Sequence, residues 1–260
     1  MSAVQEIQDP LVSVITPSYN QGRFIRQTID SVLGQSYPRI EYWVIDGGST
    51  DETVEILRSY GDRLHFLSES DAGQANAINK GMQKCTGEIL CYVNSDDTLL
   101  PGAIQAVADT FRETHALWVT GDYRIVNEQG KPIQGFVAGY KRFLRRCSSR
   151  SLLRFTNYIV QPSTFWRREL TERIGLFDET LRYTMDYDYW LRAFEVAPPQ
   201  IIHRPLSAFR IHGESKGGSQ YSSQFDEELM VLRKHRVGAF AIACHRLHNG
   251  LIKAAYRIIK

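Results

Sequence analysis

The sequence has little cysteine and no long apolar run. Its 260 residues include four cysteines, which show neither the close pairing of a zinc site nor the density of a secreted disulfide framework. No stretch reaches the ~20 apolar residues that a membrane-spanning helix needs, and residues 1–10 are polar and acidic, unlike a secretory leader. We therefore expect reduced thiols and a cytoplasmic protein.

Two phosphate-binding signatures are also missing. No Walker lysine loop occurs, and the first predicted strand is not followed by GxGxxG, so the pattern excludes a P-loop and a dinucleotide site. We also expect no nucleic-acid partner. With 43% apolar residues the chain can still bury a full core.

Charge is distributed unevenly along the chain. The net charge is +2, but the last 28 residues hold seven cations and no acid, which leaves 24 cations against 29 acids in residues 1–232. The same basic tail repeats apolar residues at helical spacing, at Phe240, Cys244, Leu247, Leu251, Ala255 and Ile258. Two interpretations stay open: the stripe packs on the rest of the chain or on a second copy, or it lies on an anionic membrane surface.

Short apolar runs alternate with helical patterns in the first half of the chain. Strands are predicted at residues 11–16, 41–46, 64–67, 88–93 and 117–121. This alternation predicts an α/β fold with a mainly parallel sheet that is flanked by helices and binds ligands beyond the carboxyl ends of its strands. Farther on, residues 123–135 predict a hairpin around a turn at 128–130, and short helices are expected near 167–174 and 186–196.

Polar clusters follow three of the predicted strands. Residues 94–97 (NSDD) offer paired carboxylates that suit Mg²⁺ or Mn²⁺, or equally a helix cap. Residues 46–51 (DGGSTD) can approach a ligand closely and let Asp46 accept a hydrogen bond from a base or ribose, but a tight turn capped by Ser49 explains them too. Tyr19 can stack on a base or simply be half-buried.

Two further clusters lie in the second half. Asp186 and Asp188 begin a predicted helix, where acids favour the helix dipole, yet a carboxylate there could also accept a proton from an attacking hydroxyl. His212 and Lys216 share a glycine-containing loop, so His212 could bind a metal and Lys216 a diphosphate. A lone histidine is more often structural.

Taken together, these segments resemble glycosyltransferase family 2, which has the GT-A fold. The resemblance runs from Val12 to about Ser215 and is strongest in four ordered motifs: VSVITPSYNQGRFIRQTIDSVLGQSYP, VIDGGSTDET, SDAGQANAINKG and VNSDD. It implies a GT-A catalytic domain at 1–220, with a nucleotide-sugar half at about 10–122 and an acceptor half at about 123–220. Residues 221–260 then form a basic amphipathic helical tail.

The resemblance also implies roles for single residues. Asp186 matches the catalytic base, and Asn79 the residue that supports the helix carrying Gln74. The implied metal ligands are Asp97, Asp96 and His212, holding Mn²⁺ or Mg²⁺. The implied nucleotide-binding residues are Thr16, Ser18, Tyr19, Asp46, Asp71, Gln74 and Asp96. The acceptor or phosphate side would hold Gln161, Trp166 and Lys216.

Two positions depart from the family pattern. Asn94 stands where the first acid of an Asp-x-Asp motif is usual, and Met185 stands where many members have glutamate. The resemblance nonetheless implies an inverting, metal-dependent transferase that moves a sugar from a nucleotide diphosphate, with UDP the expected nucleotide. The acceptor would be a glycan or lipid-linked glycan of the bacterial surface. The alternatives are a non-catalytic sugar-nucleotide-binding scaffold and a sugar nucleotidyltransferase.

Overall fold

A computed structural model of the protein describes residues 9–213 and 221–259, with side chains in the second range given for 223–252. Within these ranges eight strands form one sheet in the order β3-β2-β1-β4-β7-β6-β8-β5. The strands are β1 Val12–Ser18, β2 Ile40–Asp46, β3 His65–Ser68, β4 Ile89–Tyr92, β5 Thr98–Leu99, β6 Trp118–Val126, β7 Thr164–Arg167 and β8 Gln200–Arg210.

Helices connect and cover these strands. In the first half they are α1 Gly22–Leu33, α2 Thr53–Ser59, α3 Gln74–Lys84 and α4 Ala103–Glu113. In the second half they are α5 Gly135–Arg146, α6 Arg150–Phe155, α7 Arg168–Ile174, α8 Met185–Val196, α9 Tyr221–Lys234 and α10 Ala239–Ile259. The predicted α/β fold, a sheet flanked by helices, is confirmed.

The first four strands are parallel neighbours, as the strand-helix alternation predicts. β1 is buried along its whole length between β2 and β4, so its apolar run needs no polar alternation. Its last residue, Ser18, pairs with Asp46 at the end of β2. The loops after β1, β2 and β4 therefore meet at one edge of the sheet.

Close helix packing holds this half together. α3 crosses β1 at Gly81, where an added Cβ would lie 2.5 Å from the Ile15 side chain. α1 buries Ile25, Ile29 and Val32 at helical spacing on the same core. Larger residues at position 81 would push α3, and the loop before it, away from the sheet edge.

The second half of the sheet differs from the prediction. β7 runs antiparallel to both β4 and β6, so the sheet is mixed, although four of its seven strand pairings in the described residues are parallel. The predicted hairpin at 123–135 is reduced to one bridge between Val126 and Pro132. The chain then enters α5, a helix that the sequence analysis did not predict.

The two C-terminal helices pack on the rest of the protein, but not through the predicted stripe. Phe240, Leu247 and Leu251 are exposed, whereas His245 and Asn249 are buried. Both buried side chains hydrogen-bond the Glu228 carboxylate on α9, at 3.0 and 2.9 Å. These three stripe residues therefore do not pack on the described part of the catalytic domain, and the most buried side chains of α10 are polar. The side chains of Ala255 and Ile258 lie outside the described residues, and packing on a second copy or on a membrane stays a prediction.

Two sequence-level expectations can be compared directly with the structure. All four cysteines are free: Cys85 and Cys91 are buried, and Cys147 is exposed. In the described part of the chain, no helix combines the length and apolar content needed to cross a bilayer.

Candidate functional site

A cleft of about 720 Å³ opens at the sheet edge where the loops after β1, β2 and β4 meet. It is bounded by the start of α3 on one side and by the loop before α8 on the other. The predicted site residues that line it are Ser18, Tyr19, Asp71, Gln74, Asp96 and His212. Thr16, Asp46, Asp97, Gln161, Trp166 and Asp186 do not line it.

The loop after β1 presents unpartnered polar groups. The Ser18 hydroxyl and the Gln21 side-chain carbonyl are both buried and have no hydrogen-bonding partner among the described residues. Such groups are costly unless a ligand or water satisfies them. Tyr19 stands at the rim with most of its ring exposed, where a planar ligand could stack. Gln21 belongs to the first sequence motif but was not assigned a role there, and only its place in the cleft points to one.

Asp46 organises its own loop. Its Oδ2 accepts the Gly48 and Ser49 backbone N–H groups and the Ser68 hydroxyl, and its Oδ1 accepts the Ser49 hydroxyl. The carboxylate is fully buried and does not reach the cleft in this conformation. The turn interpretation thus accounts for its contacts, and nucleotide binding by Asp46 stays a prediction. Thr16 is similarly buried against the Tyr42 hydroxyl.

Asp71 and Gln74 face the cleft from the start of α3. The Asp71 carboxylate accepts the Gly73 N–H and lies close to Gly47, where an added Cβ would be 2.9 Å from it, so a larger residue at position 47 would displace the carboxylate. Asn79 fixes α3 to the loop before α8 by accepting the Phe177 N–H and donating to Glu179. The implied supporting role of Asn79 agrees with these contacts.

Asn94 joins the two sides of the cleft. Its carbonyl accepts a hydrogen bond from Gln74, and its amide donates to Asp97 and to Gln161. An ionised acid at this position would place a third carboxylate beside Asp96 and Asp97. It could not donate the hydrogen bonds that Asn94 gives to Asp97 and Gln161. Asn94, which replaces the first acid of the usual Asp-x-Asp motif, therefore acts as a hydrogen-bonding residue in this protein.

The two neighbouring acids have different environments. Asp97 is buried, and its oxygens accept the Arg210 N–H and the Asn94 amide. Burial first, and then the Asp96 charge, raise the pKa of Asp97 well above its usual range. Asp96 is partly exposed in the cleft, with its Oδ2 3.0 Å from His212 Nε2.

This acid-histidine pair bears on metal binding. In the described ranges no three His, Cys, Asp or Glu side chains cluster as metal ligands. Mg²⁺ and Mn²⁺ need fewer, because they bind through one or two carboxylates and complete their shells with phosphate oxygens and water. Asp96 and His212 beside the cleft fit such a cation. The role of Asp97 as principal ligand stays a prediction.

Asp186 lies on the first turn of α8, near the end of β4. Burial raises the pKa of Asp186 to about 6. The Tyr187 N–H, which donates to its Oδ1, and the Lys141 charge lower the pKa and so limit this rise. Burial raises the pKa of Tyr92 well above its usual range, and the charges of Asp186 and Asp97 raise it further. A carboxyl group that ionises near pH 6 can accept a proton at neutral pH.

Asp188, unlike Asp186, holds two helices together. Its buried carboxylate is hydrogen-bonded by Arg192, Lys234 and His235, so it anchors α9 to α8. Burial alone would raise its pKa, but the hydrogen bonds from His235 and Lys234 outweigh it and hold the pKa well below the usual range. Asp188 is thus structural, and Asp186 is the available acid.

The structure places the two predicted acceptor-side residues Gln161 and Trp166 in different surroundings. Gln161 donates to the Tyr92 carbonyl and contacts Asn94, close behind the cleft. Trp166 is fully buried among Trp190 and Tyr189 and does not line the cleft, so its acceptor-side role stays a prediction. The apolar core requires that large ring, which the motif alone did not reveal.

A cation also enters the cleft from an unexpected segment. Lys216 lies outside the described residues, so its phosphate role is untested. Arg182, in the loop before α8, lines the cleft instead. The sequence analysis did not single it out, because no motif surrounds it.

Comparison with protein families gives a match to the model described as glycosyl transferase family 2, over residues 13–175. An uncharacterized glycosyltransferase of Rickettsia prowazekii is 32% identical over 211 residues, which cover 80% of this chain and 66% of the relative. Chondroitin synthase of Escherichia coli is 28% identical over 86% of this chain and 32% of its own length. The chain thus covers 66% or less of these relatives.

Two solved structures share the fold. S. aureus TarS 1-349 in complex with UDP-GlcNAc matches with a TM-score of 0.66 and 20% identity, over 88% of this chain and 67% of the TarS 1-349 chain. The mannosyltransferase PcManGT from Pyrobaculum calidifontis, in complex with GDP-Man and Mn²⁺, matches with a TM-score of 0.68 and 21% identity, over 94% and 72% of the two chains.

Proposed function

The chain belongs to glycosyl transferase family 2. We therefore propose that it transfers a sugar from a nucleotide diphosphate donor to an acceptor hydroxyl with inversion of configuration. The donor we propose first is a UDP-sugar. The acceptor we propose is a glycan or lipid-linked glycan of a bacterial surface polysaccharide. Relatives named for chondroitin and teichuronic acid synthesis support this acceptor class, and the UDP-GlcNAc complex of TarS supports the donor class.

The cleft at the sheet edge is the observation that carries the proposal. It holds buried polar atoms without protein partners at Ser18 and Gln21, beside an exposed tyrosine ring. Asp96 and His212 also line the cleft, and Arg182 adds a positive charge to its lining. Stacking, hydrogen-bonding and diphosphate-binding groups thus lie together.

In the reaction we propose, the acceptor oxygen attacks the anomeric carbon as the bond from that carbon to the diphosphate oxygen breaks. The Asp186 carboxylate takes the proton from the acceptor hydroxyl, and the nucleoside diphosphate leaves with the bonding electron pair. Arg182 stabilises the negative charge that grows on the leaving oxygens. Attack on the face opposite the leaving group inverts the configuration.

The divalent cation we propose, Mn²⁺ or Mg²⁺, would be held by Asp96 and His212, with Asp97 behind them. It would supply Lewis-acid stabilisation of the leaving diphosphate. PcManGT was solved with Mn²⁺, which supports the choice of metal. The proposed domain division follows: a catalytic domain at 1–220, with a donor half at about 10–122 and an acceptor half at about 123–220, and a helical tail at 221–260.

Binding and turnover can be tested separately. Thermal unfolding is first screened against nucleoside diphosphates and their sugars, with and without Mn²⁺, and a metal-dependent rise with UDP is expected. Asp186→Asn should keep this rise and lose turnover by ~10²-fold or more. Asp109→Asn, which changes a surface carboxylate on α4 paired with Arg112, is the matched control.

The outcomes separate the competing functions. NMR of the product should show a β linkage from an α-linked donor, and an α linkage would contradict inversion. Full cellular function of Asp186→Asn would favour the scaffold instead. Release of pyrophosphate from a nucleoside triphosphate would favour the nucleotidyltransferase. For location, we propose the cytoplasm at the inner face of its membrane.

A further inference from the structure

We propose that α5 and α10 form a surface that docks the protein on an anionic lipid bilayer. We call this surface the docking face and define it by Phe136 and Phe143 on α5 and by Leu247 and Leu251 on α10. The inference does not depend on the identity of the donor sugar.

The apolar side chains of the docking face are strongly exposed. Their exposed fractions are 86% for Phe136, 61% for Phe143, 68% for Leu247 and 63% for Leu251. Among the described residues, six of the ten large apolar side chains that are exposed lie on these two helices. Single exposed apolar residues are ordinary, but such a concentration marks an interaction surface.

The two helices contact each other through one side chain of each. The Tyr140 hydroxyl lies 2.9 Å from His248 Nε2, and their rings stack with centroids 6.1 Å apart. Tyr140 lies four residues after Phe136 and three before Phe143, on the same face of α5. His248 lies next to Leu247 and three residues before Leu251. The contact therefore places the exposed phenylalanines of α5 and the exposed leucines of α10 on neighbouring helices.

The positive charge around the docking face favours an anionic partner. Residues 135–155 contain six cations and no acid, and residues 229–260 contain seven cations and no acid, so the remainder of the chain carries a net charge of −11. Some of these cations pair with acids of the body, as Arg145 does with Asp122, but Arg146 and Arg246 are exposed. Exposed apolar side chains among cations favour the interface of an anionic bilayer.

A second copy of the chain fits this surface less well. Symmetric pairing would bring two surfaces of the same positive charge together, which is unfavourable. An anionic bilayer accommodates both the cations and the apolar side chains.

The docking face also lies close to the proposed base. Lys141 lies on the same helix as Phe136 and Phe143, and its charge lowers the pKa of Asp186, so α5 links the docking face to the surroundings of the proposed base. If the proposed function holds, docking would present the acceptor side to lipid-linked substrates.

Vesicle flotation of the full chain tests the proposal. The vesicles are phosphatidylcholine alone or mixed with phosphatidylglycerol, and binding is expected only to the mixture and to weaken with salt. Leu247→Ser/Leu251→Ser and Phe136→Ser/Phe143→Ser should each lower the partition coefficient on the order of tenfold to a hundredfold. Leu176→Ser/Val196→Ser, which removes exposed apolar side chains elsewhere, should float like the original protein.

Controls make each outcome decisive. Circular dichroism and urea unfolding establish that the variants fold, and the UDP thermal shift is measured on every variant. Equal flotation of all variants, or equal binding to both vesicle types, would overturn the docking face. So would a dimer in solution that Leu247→Ser/Leu251→Ser converts to a monomer without any flotation. Failure of the UDP shift alone would contradict the proposed function and leave the docking face standing.

Discussion

At Asp186, burial and charge act in opposite directions on one carboxyl group. Burial raises its pKa to about 6, and the Lys141 ammonium and the Tyr187 N–H limit the rise. The proposed base must be ionised to accept a proton, so turnover should be constant above about pH 7 and fall tenfold per pH unit well below pH 6. A pH profile of kcat measures this, with UDP binding followed in parallel. A profile flat to pH 5 would contradict the assignment.

Lys141 provides a second test at the same scale. Removing its ammonium in Lys141→Met takes away a charge that favours ionised Asp186, so the pKa of Asp186 should rise and the acidic limb should move to higher pH. Near pH 6 we expect turnover to fall roughly two- to fivefold, with full recovery above pH 8. Lys131→Met, at an exposed lysine, is the control. Equal losses at every pH would indicate a structural role for Lys141 instead.

Single site residues were only partly predictable. The motif residues Ser18, Tyr19, Asp71 and Gln74 do line the cleft, because strand ends and short loops fix where they lie. Arg182 was missed, since its position depends on long-range packing that leaves no local pattern. The burial of Trp166 was not predictable, because a motif does not tell which of its side chains point into the core.

Among the secondary-structure elements, strong periodicity predicted well and weak periodicity did not. The first four strands and α1 to α4 follow strand-helix alternation that the burial of each face enforces. α5 was missed because its large aromatic residues Phe136, Tyr140 and Phe143 are exposed, so the spacing of its apolar residues does not mark its buried face. The inward face of α10 was missed for the complementary reason: its buried residues are polar.

The start of α8 depends on a residue of the tail. The Glu227 carboxylate on α9 accepts the N–H groups of Arg182, Tyr183 and Thr184, as well as the Thr184 hydroxyl. Glu227→Ala should therefore destabilise the fold by ~1–2 kcal/mol and lower kcat, because Asp186 lies on this first turn. Urea unfolding and steady-state kinetics check both effects. The neighbouring exposed Asp226→Ala is the control, and equal effects of the two variants would contradict the capping role.

For the whole molecule, the tail and the body form one charge-coupled unit around Asp188. Its buried carboxylate accepts hydrogen bonds from Lys234 and His235 of the tail and from Arg192 of α8. The sequence placed the basic tail beside an acidic body but could not identify this carboxylate, because acids at a helix start are common. If the anchor matters for stability, Asp188→Asn should lower the free energy of unfolding at pH 7 by about 2–3 kcal/mol.

The pH dependence of this anchor has a defined sign. A carboxyl group whose pKa is lowered by folding stabilises the folded state above its unfolded pKa of ~4 and loses that contribution as pH falls toward the folded pKa. Urea unfolding should therefore show a large difference between the original protein and Asp188→Asn at pH 7, and a smaller one at pH 3. Asp109→Asn should show little difference at either pH, because its salt bridge with Arg112 is exposed. A constant gap between pH 7 and pH 3 would mean that Asp188 stabilises the protein through packing rather than through charge.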